Sequence, residues 1–212
     1  MPVVTALRAT RGGGVALHVD DEYVCVVGES LVARWRLFKG RELSVDDVAH
    51  IRAAAAAERV TADAYRLLGH RARSSDELRR RLLAKGHDAE AVDEALQRLT
   101  ADGFLDDAAF AASYVADKRR LAGWGAERIR RGLRELGVDP SFIDDALGAA
   151  APGDDDELER ALALLRRRGA PQEPLQAAQR RAFQALQRRG FSTATAYAAV
   201  RVWVEEGGGD PS

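Results

Sequence analysis

One cysteine in 212 residues leaves no partner for an intramolecular disulfide, so Cys25 points to a reducing compartment. Long apolar runs are missing as well, and none approaches the ~20 residues needed to span a bilayer. The start, Met1-Pro2-Val3-Val4-Thr5, has neither the basic segment nor the apolar stretch of a secretory signal, and the expectation is a cytoplasmic protein. An excess of charge of one sign is absent too. The chain has 32 Lys and Arg against 33 Asp and Glu, so no bulk field draws it to nucleic acid. Any anionic partner must be met by uneven placement of charge.

The signatures of catalysis are equally scarce. His18, His50, His70 and His87 stand at no metal-ligand spacing with one another, with Cys25 or with a carboxylate. Gly12-Gly13-Gly14 lacks the Lys-Ser/Thr of a phosphate loop, and no Gly-x-Ser-x-Gly elbow occurs. Cys25 lies within a predicted strand, where a buried thiol is structural and not nucleophilic. These absences predict a protein that is not an enzyme and needs no metal or cofactor.

What the chain does have is repetition. Leu78-Arg79-Arg80-Arg81-Leu82, Lys85-Gly86, Val92 and Leu96 recur about fifty residues on as Ile129-Arg130-Arg131-Gly132-Leu133, Leu136-Gly137, Ile143 and Leu147. A weaker third copy reads Ala182, Leu186, Arg189-Gly190, Ala196 and Val200. Repeats of this period indicate stacked helical units with an extended surface.

The local signals fill in the elements. Val3, Val15, Leu17, Val19, Tyr23, Val24, Val26 and Val27 are strand formers, with turns at Arg11-Gly12-Gly13-Gly14 and Asp20-Asp21-Glu22. Leu31, Val32, Trp35 and Phe38 fall at helical spacing up to Gly40. Ser44 caps the next helix, and Thr61 is placed to cap another. Ser74 or Ser75, Asp88 and Asp106 or Asp107 open further helices, with Glu77 placed for a capping box. Gly86, Gly137 and Gly190 act as left-handed stops. Pro152-Gly153 and the acidic run after it read as a hinge, and Glu205 to Ser212 as a frayed tail. The expected division is a β segment with a short helix at 1–43, a first helical repeat with its preceding helix at 44–106, a second repeat at 107–151, a third at 152–206 and a tail at 207–212.

Arginine placement is the positive functional signal. Arg71, Arg73, Arg79, Arg80, Arg81 and Lys85 cluster in the first repeat. Lys118, Arg119, Arg120, Arg128, Arg130, Arg131 and Arg134 cluster in the second, and Arg188 and Arg189 close the third, after Arg166 to Arg168, Arg180 and Arg181. Taken singly these are solvated helix faces, with Glu77–Arg81 and Glu127–Arg131 as favourable i,i+4 pairs. Recurrence in three copies turns them into a stripe that suits a periodic partner such as a filament or a nucleic-acid backbone. Trp124, between Gly123 and Gly125, is either a cap packing one helix on the next or an aromatic anchor for a partner.

These residues resemble a known family. Arg71-Ala72-Arg73-Ser74-Ser75-Asp76-Glu77-Leu78, with Leu82 and Lys85-Gly86, resembles the first repeat of the RecX family, as does Leu99-Thr100-Ala101-Asp102-Gly103-Phe104-Leu105-Asp106-Asp107 with Phe110-Ala111. Gly123-Trp124-Gly125-Ala126-Glu127-Arg128-Ile129 with Leu136-Gly137 is similar to its second repeat, and Arg188-Arg189-Gly190-Phe191-Ser192 to the end of its third. The resemblance covers about Ser44 to Val202. It implies a mainly α fold of tandem three-helix repeats stacked into an elongated crescent, here with a small N-terminal β-hairpin segment. It further implies a regulator that binds the RecA–DNA filament; nothing in the sequence looks like a dimer seam, so the expectation is a monomer. Such a regulator inhibits ATP hydrolysis, strand exchange and the co-protease activity behind the SOS response, with some direct contact to single- or double-stranded DNA. The alternative is a direct DNA-binding transcriptional repressor whose short helices imitate a helix-turn-helix.

Overall fold

A computed structural model describes residues 1–149, 157–171 and 174–207. The Pro152-Gly153 hinge with Asp154 to Asp156 of its acidic run, Gln172-Glu173 and the tail beyond Gly207 lie outside the described residues. The chain is mainly helical and divides into two compact units, Met1–Arg73 with Glu77–Leu105, and Ser74–Asp76 with Asp106–Ser212.

In the first unit, β1 (Val4–Ala9), β2 (Val15–Val19) and β3 (Glu22–Val27) form an antiparallel meander in the order β1-β2-β3. Leu17 faces Leu7 on one side and Cys25 on the other. Asp20 and Asp21 both have positive φ (48° and 65°), the backbone of a tight hairpin whose twist matches that of the strands. The helical spacing out to Phe38 overstates the next element. Helix α1 (Glu29–Arg34) stops early and Arg36 turns left-handed (φ 48°), which drops Leu37 into the core and leaves Phe38 exposed.

Helix α2 (Val45–His70) is a single element of 26 residues, about 39 Å long at 1.5 Å per residue. Ser44 opens it with a complete capping box. Its hydroxyl accepts the Asp47 N–H at 3.0 Å, and Asp47 accepts the Ser44 N–H at 2.9 Å. Thr61 caps nothing. Its hydroxyl donates to the Ala57 carbonyl one turn back, which satisfies it inside the helix.

The alanine-rich helix serves two cores. Ile51 and Ala55 pack with Val4, Leu17, Val27, Leu31 and Leu43, while Val60 and Ala64 pack with Leu78, Leu82, Val92 and Leu99 of α3 (Ser75–Ala84) and α4 (Ala89–Ala101).

In the second unit, Asp106 caps α5 (Asp107–Ala122), which Gly123 ends with φ 59°. Helices α6 (Ala126–Glu135) and α7 (Pro140–Gly148) complete a three-helix set around Ala111, Val115, Ile129, Leu133, Val138 and Ile143. Asp139 caps α7, and Pro140 sits in its first turn, where a missing N–H costs nothing. Helices α8 (Glu157–Arg166), α9 (Leu175–Arg188) and α10 (Thr193–Gly207) enclose Ala161, Leu162, Leu165, Ala182, Leu186, Phe191 and Trp203. The residues expected to begin a frayed tail are helical. Glu205 and Glu206 lie in α10, and Glu206 holds Arg166 at 2.5 Å. No helix among the described residues is long and apolar enough to cross a membrane.

Candidate functional site

Gly125 stands at the N-terminus of α6 and has no side chain to cap it. Backbone and a distant carboxylate take over that task. The Gly125 N–H donates to the Arg189 carbonyl at 2.9 Å and the Glu127 N–H to the Gly190 carbonyl at 3.0 Å. The Ala126 N–H donates to Glu157 at 2.9 Å, and the other oxygen of that carboxylate accepts the Thr195 hydroxyl at 3.0 Å. One carboxylate thus ties the first turns of α6, α8 and α10 together. The approach is close enough that a Cβ on Gly125 would overlap the Gly190 carbonyl, and one on Gly190 would overlap Arg128.

About fifty residues earlier the same joint recurs within this unit. The Ser75 N–H donates to Asp107 at 2.8 Å, the Ser74 hydroxyl donates to the Leu136 carbonyl, and a Cβ on Gly137 would overlap Asp76.

The joint gathers a basic and aromatic cluster. Trp124 is half-buried against the core of the α5–α7 set. The Arg128 guanidinium lies 4.1 Å from its ring centroid and the Lys118 ammonium 5.0 Å, with Lys118 also 5.0 Å from Tyr114. Arg128 donates to the Arg188 carbonyl at 3.2 Å, and Arg189 donates to the Ala122 carbonyl at 3.0 Å. Five of the sequence-derived residues, Lys118, Trp124, Arg128, Arg188 and Arg189, are therefore brought together. Trp124 packs as the cap of a helix junction, with cations against its ring.

Others are distributed differently. Arg119 turns to the Leu147 carbonyl at 3.0 Å, and Arg120 is exposed with Asp117 at 3.6 Å. Arg130 is held by Glu127 (2.9 Å) and Asp144 (3.3 Å), so the favourable pair forms three residues apart and not with Arg131. Arg131 and Arg134 are exposed and have no ion-pair partner among the described residues.

In the first unit most of the basic residues are committed to internal pairs. Glu77, only 6% exposed, accepts from Arg71, Arg73 and Arg81. Burial pushes its carboxyl up, but the guanidinium bonds and charges outweigh it and hold it below the usual range. Arg73 is itself buried (8% exposed) and also donates to the Leu67 carbonyl. The charge of Arg73, expected on the partner-facing stripe, is thus met inside the unit by Glu77. Arg79 is bidentate to Asp93, Lys85 reaches Asp63 at 3.3 Å, and Arg80 is exposed. Among the described residues no group of His, Cys, Asp and Glu could hold a metal ion. Burial pushes the Cys25 thiol up, against the opposing charges of Arg52 and Arg59.

Sequence reasoning missed Glu157 and the Phe183–Tyr197 pair. Glu157 bonds across 31 and 38 residues, which no local signal reveals. The aromatic pair was legible only by aligning the three copies at a spacing of fourteen.

Residues 62–99 match the first three-helix domain of RecX, residues 106–147 the second and residues 154–200 the third. The chain belongs to the RecX family. The regulatory protein RecX of Leuconostoc citreum (strain KM20) is 27% identical over 190 residues, 90% of this chain and 71% of that one. The RecX of Geobacillus kaustophilus (strain HTA426) is 32% identical over 165 residues, 78% of this chain and 61% of that one. A crystal structure of a regulatory protein RecX superposes with a TM-score of 0.66 at 27% identity, covering 97% of this chain and 100% of its own. The structure of RecX from Lactobacillus salivarius shares the fold (TM-score 0.62, 19% identity) over 72% of this chain and 99% of its own. As a RecX-family chain it belongs with regulatory proteins built of tandem three-helix domains.

Proposed function

We propose that this chain is a non-enzymatic cytoplasmic regulator that binds the RecA–DNA filament and restrains its ATP hydrolysis, strand exchange and co-protease activity, and so modulates recombination and the SOS response. The observation that carries this reading is the ordered match of all three RecX domains, with a basic cluster at the joint of the second and third. Arg128, Arg131, Arg134, Arg188 and Lys118 offer cations to acidic protein surface or filament phosphate. Arg79 and Arg130 are already paired and contribute less.

The test is ATP hydrolysis by the cognate RecA on single-stranded DNA, with this protein titrated below one copy per recombinase. Inhibition is expected at substoichiometric amounts. Arg131→Glu with Arg134→Glu should raise the half-inhibitory concentration at least tenfold while leaving the fold intact, because both side chains are exposed and have no ion-pair partner among the described residues. Absence of inhibition, together with tight and steeply salt-dependent binding to bare duplex, would replace this reading with a direct DNA-binding repressor.

A further inference from the structure

Each repeat joins its second helix to its third through a pair of side chains fourteen residues apart. In the first repeat the pair is Arg79–Asp93 at 2.6 Å, and in the second Arg130–Asp144 at 3.3 Å. At the corresponding place in the third stand Phe183 and Tyr197, with ring centroids 4.5 Å apart. The chain thus meets the same structural need twice with a solvated ion pair and once with an aromatic pair. The exchange has a visible consequence, since Tyr197 is left 65% exposed.

Beside the rings a groove of about 440 Å³ opens between α9 and α10, floored by Phe183, Tyr197, Val200 and Val204 and edged by Gln179, Arg180, Arg201 and Glu205. That volume lies within the ~300–1,000 Å³ of sites that seat small ligands or anchoring side chains. From Pro174 to Val204 the chain carries five arginines (Arg180, Arg181, Arg188, Arg189, Arg201) and no carboxylate. Arg180 has no ion-pair partner among the described residues, and Arg201 meets Glu205 only at 3.8 Å.

We propose that this groove docks an acidic peptide segment of a protein partner. One or two apolar side chains of the segment rest on Phe183, Tyr197 and the valines, and its flanking carboxylates meet Arg180 and Arg201. Charge complementarity sets the sign of the partner, because two arginines against the single Glu205 leave the rim net positive, and α9 itself adds no carboxylate. The floor sets its class. Exposed Tyr197 with half-buried Phe183 and Val204, over the buried Val200, presents apolar surface that leucine or phenylalanine side chains gain by covering. Exposed aromatics beside arginine are also the composition of interface anchors. The inference is independent of whether the RecA filament is the regulated target.

The test uses the full chain and fluorescence anisotropy with fluorescein-labelled decapeptides of Glu and Asp that carry two Phe three or four positions apart. At least one spacing is expected to bind, and replacing both Phe by Ser, or the carboxylates by amides, should weaken it at least tenfold. The decisive variant is Phe183→Arg with Tyr197→Asp, which installs the ion pair of the other two repeats. It should retain the circular dichroism of the parent, melt a few degrees lower because Phe183 packs on the core of α8–α10, and lose peptide binding at least tenfold at a temperature where it is fully folded. Undiminished binding by that variant, or binding by none of the peptides, would overturn the proposal. So would a single-stranded oligothymidylate that binds through Tyr197 where the peptides do not, and the groove would then belong to nucleic acid.

Discussion

Gly125 and Gly190 matter for the side chain they lack. Each lies where another backbone passes too close for a Cβ, whereas Gly86, at the matching stop of the first repeat, faces open space. Gly125→Ala should therefore cost about 2–3 kcal/mol as an overpacked backbone contact, and Gly190→Ala more, since its φ of 84° adds strain. Gly86→Ala, with φ strain alone, should cost about 1–2 kcal/mol. Urea unfolding checks the order, and equal losses at Gly86 and Gly190 would remove the close-packed joint from the account. Asp63 offers a second test. Burial pushes its carboxyl up, but His87 at 2.8 Å, Lys85 and Arg66 overcome this and hold it down to about 2. A carboxyl depressed in the folded state stabilises above its unfolded value near 4, and that contribution is lost as pH falls toward 2. Asp63→Asn should cost on the order of 1–2 kcal/mol at pH 6. Near pH 2 that difference should vanish, as acid denaturation of the two proteins would show. The glycine stops were legible in the sequence because positive φ selects the residue directly. That Gly125 and Gly190 face each other was not, because close approach depends on residues 65 positions apart.

Among the elements, the cap of α6 departs furthest from local rules. A helix that begins at a glycine takes its capping carboxylate from Glu157 at the start of α8, just as Asp107 at the start of α5 serves Ser75. Glu157→Ala removes the acceptor of two donors at once and should cost about 1–3 kcal/mol. Hydrogen exchange should speed up at the first amides of α6 and leave those of α4 unchanged. Uniform loss of protection would argue against a local cap. Where capping is local the sequence reads correctly, as at Ser44, Asp88 and Asp106. It reads wrongly where a side chain has a second option. Thr61 satisfies itself on a carbonyl within α2, and the helical spacing ending in Phe38 is cut short because Leu37 has the better-buried place. The three-copy pattern of apolar residues was strong enough to give the repeat class, since Leu82, Leu133 and Leu186 each sit in a core of their own.

For the whole molecule, the near-neutral charge conceals an uneven distribution. Residues 157–207 carry nine arginines against five glutamates, an excess of four positive charges, while the rest of the chain is acidic enough to bring the total to −1. Arginine runs in the sequence showed where cations occur but not which are free. Glu77 takes up three of them, and Arg131, Arg134 and Arg180 remain without an ion pair among the described residues. If recognition of anionic partners follows the local field and not the net charge, position should outweigh number. Arg180→Glu with Arg181→Glu should elute from a heparin column at markedly lower salt than the parent. Arg8→Glu with Arg11→Glu changes the net charge equally on exposed positions of the N-terminal hairpin, and should elute close to the parent. Equal shifts for the two variants would show that only total charge matters, and the acid-free stretch from Pro174 to Val204 would lose its claim as a recognition surface.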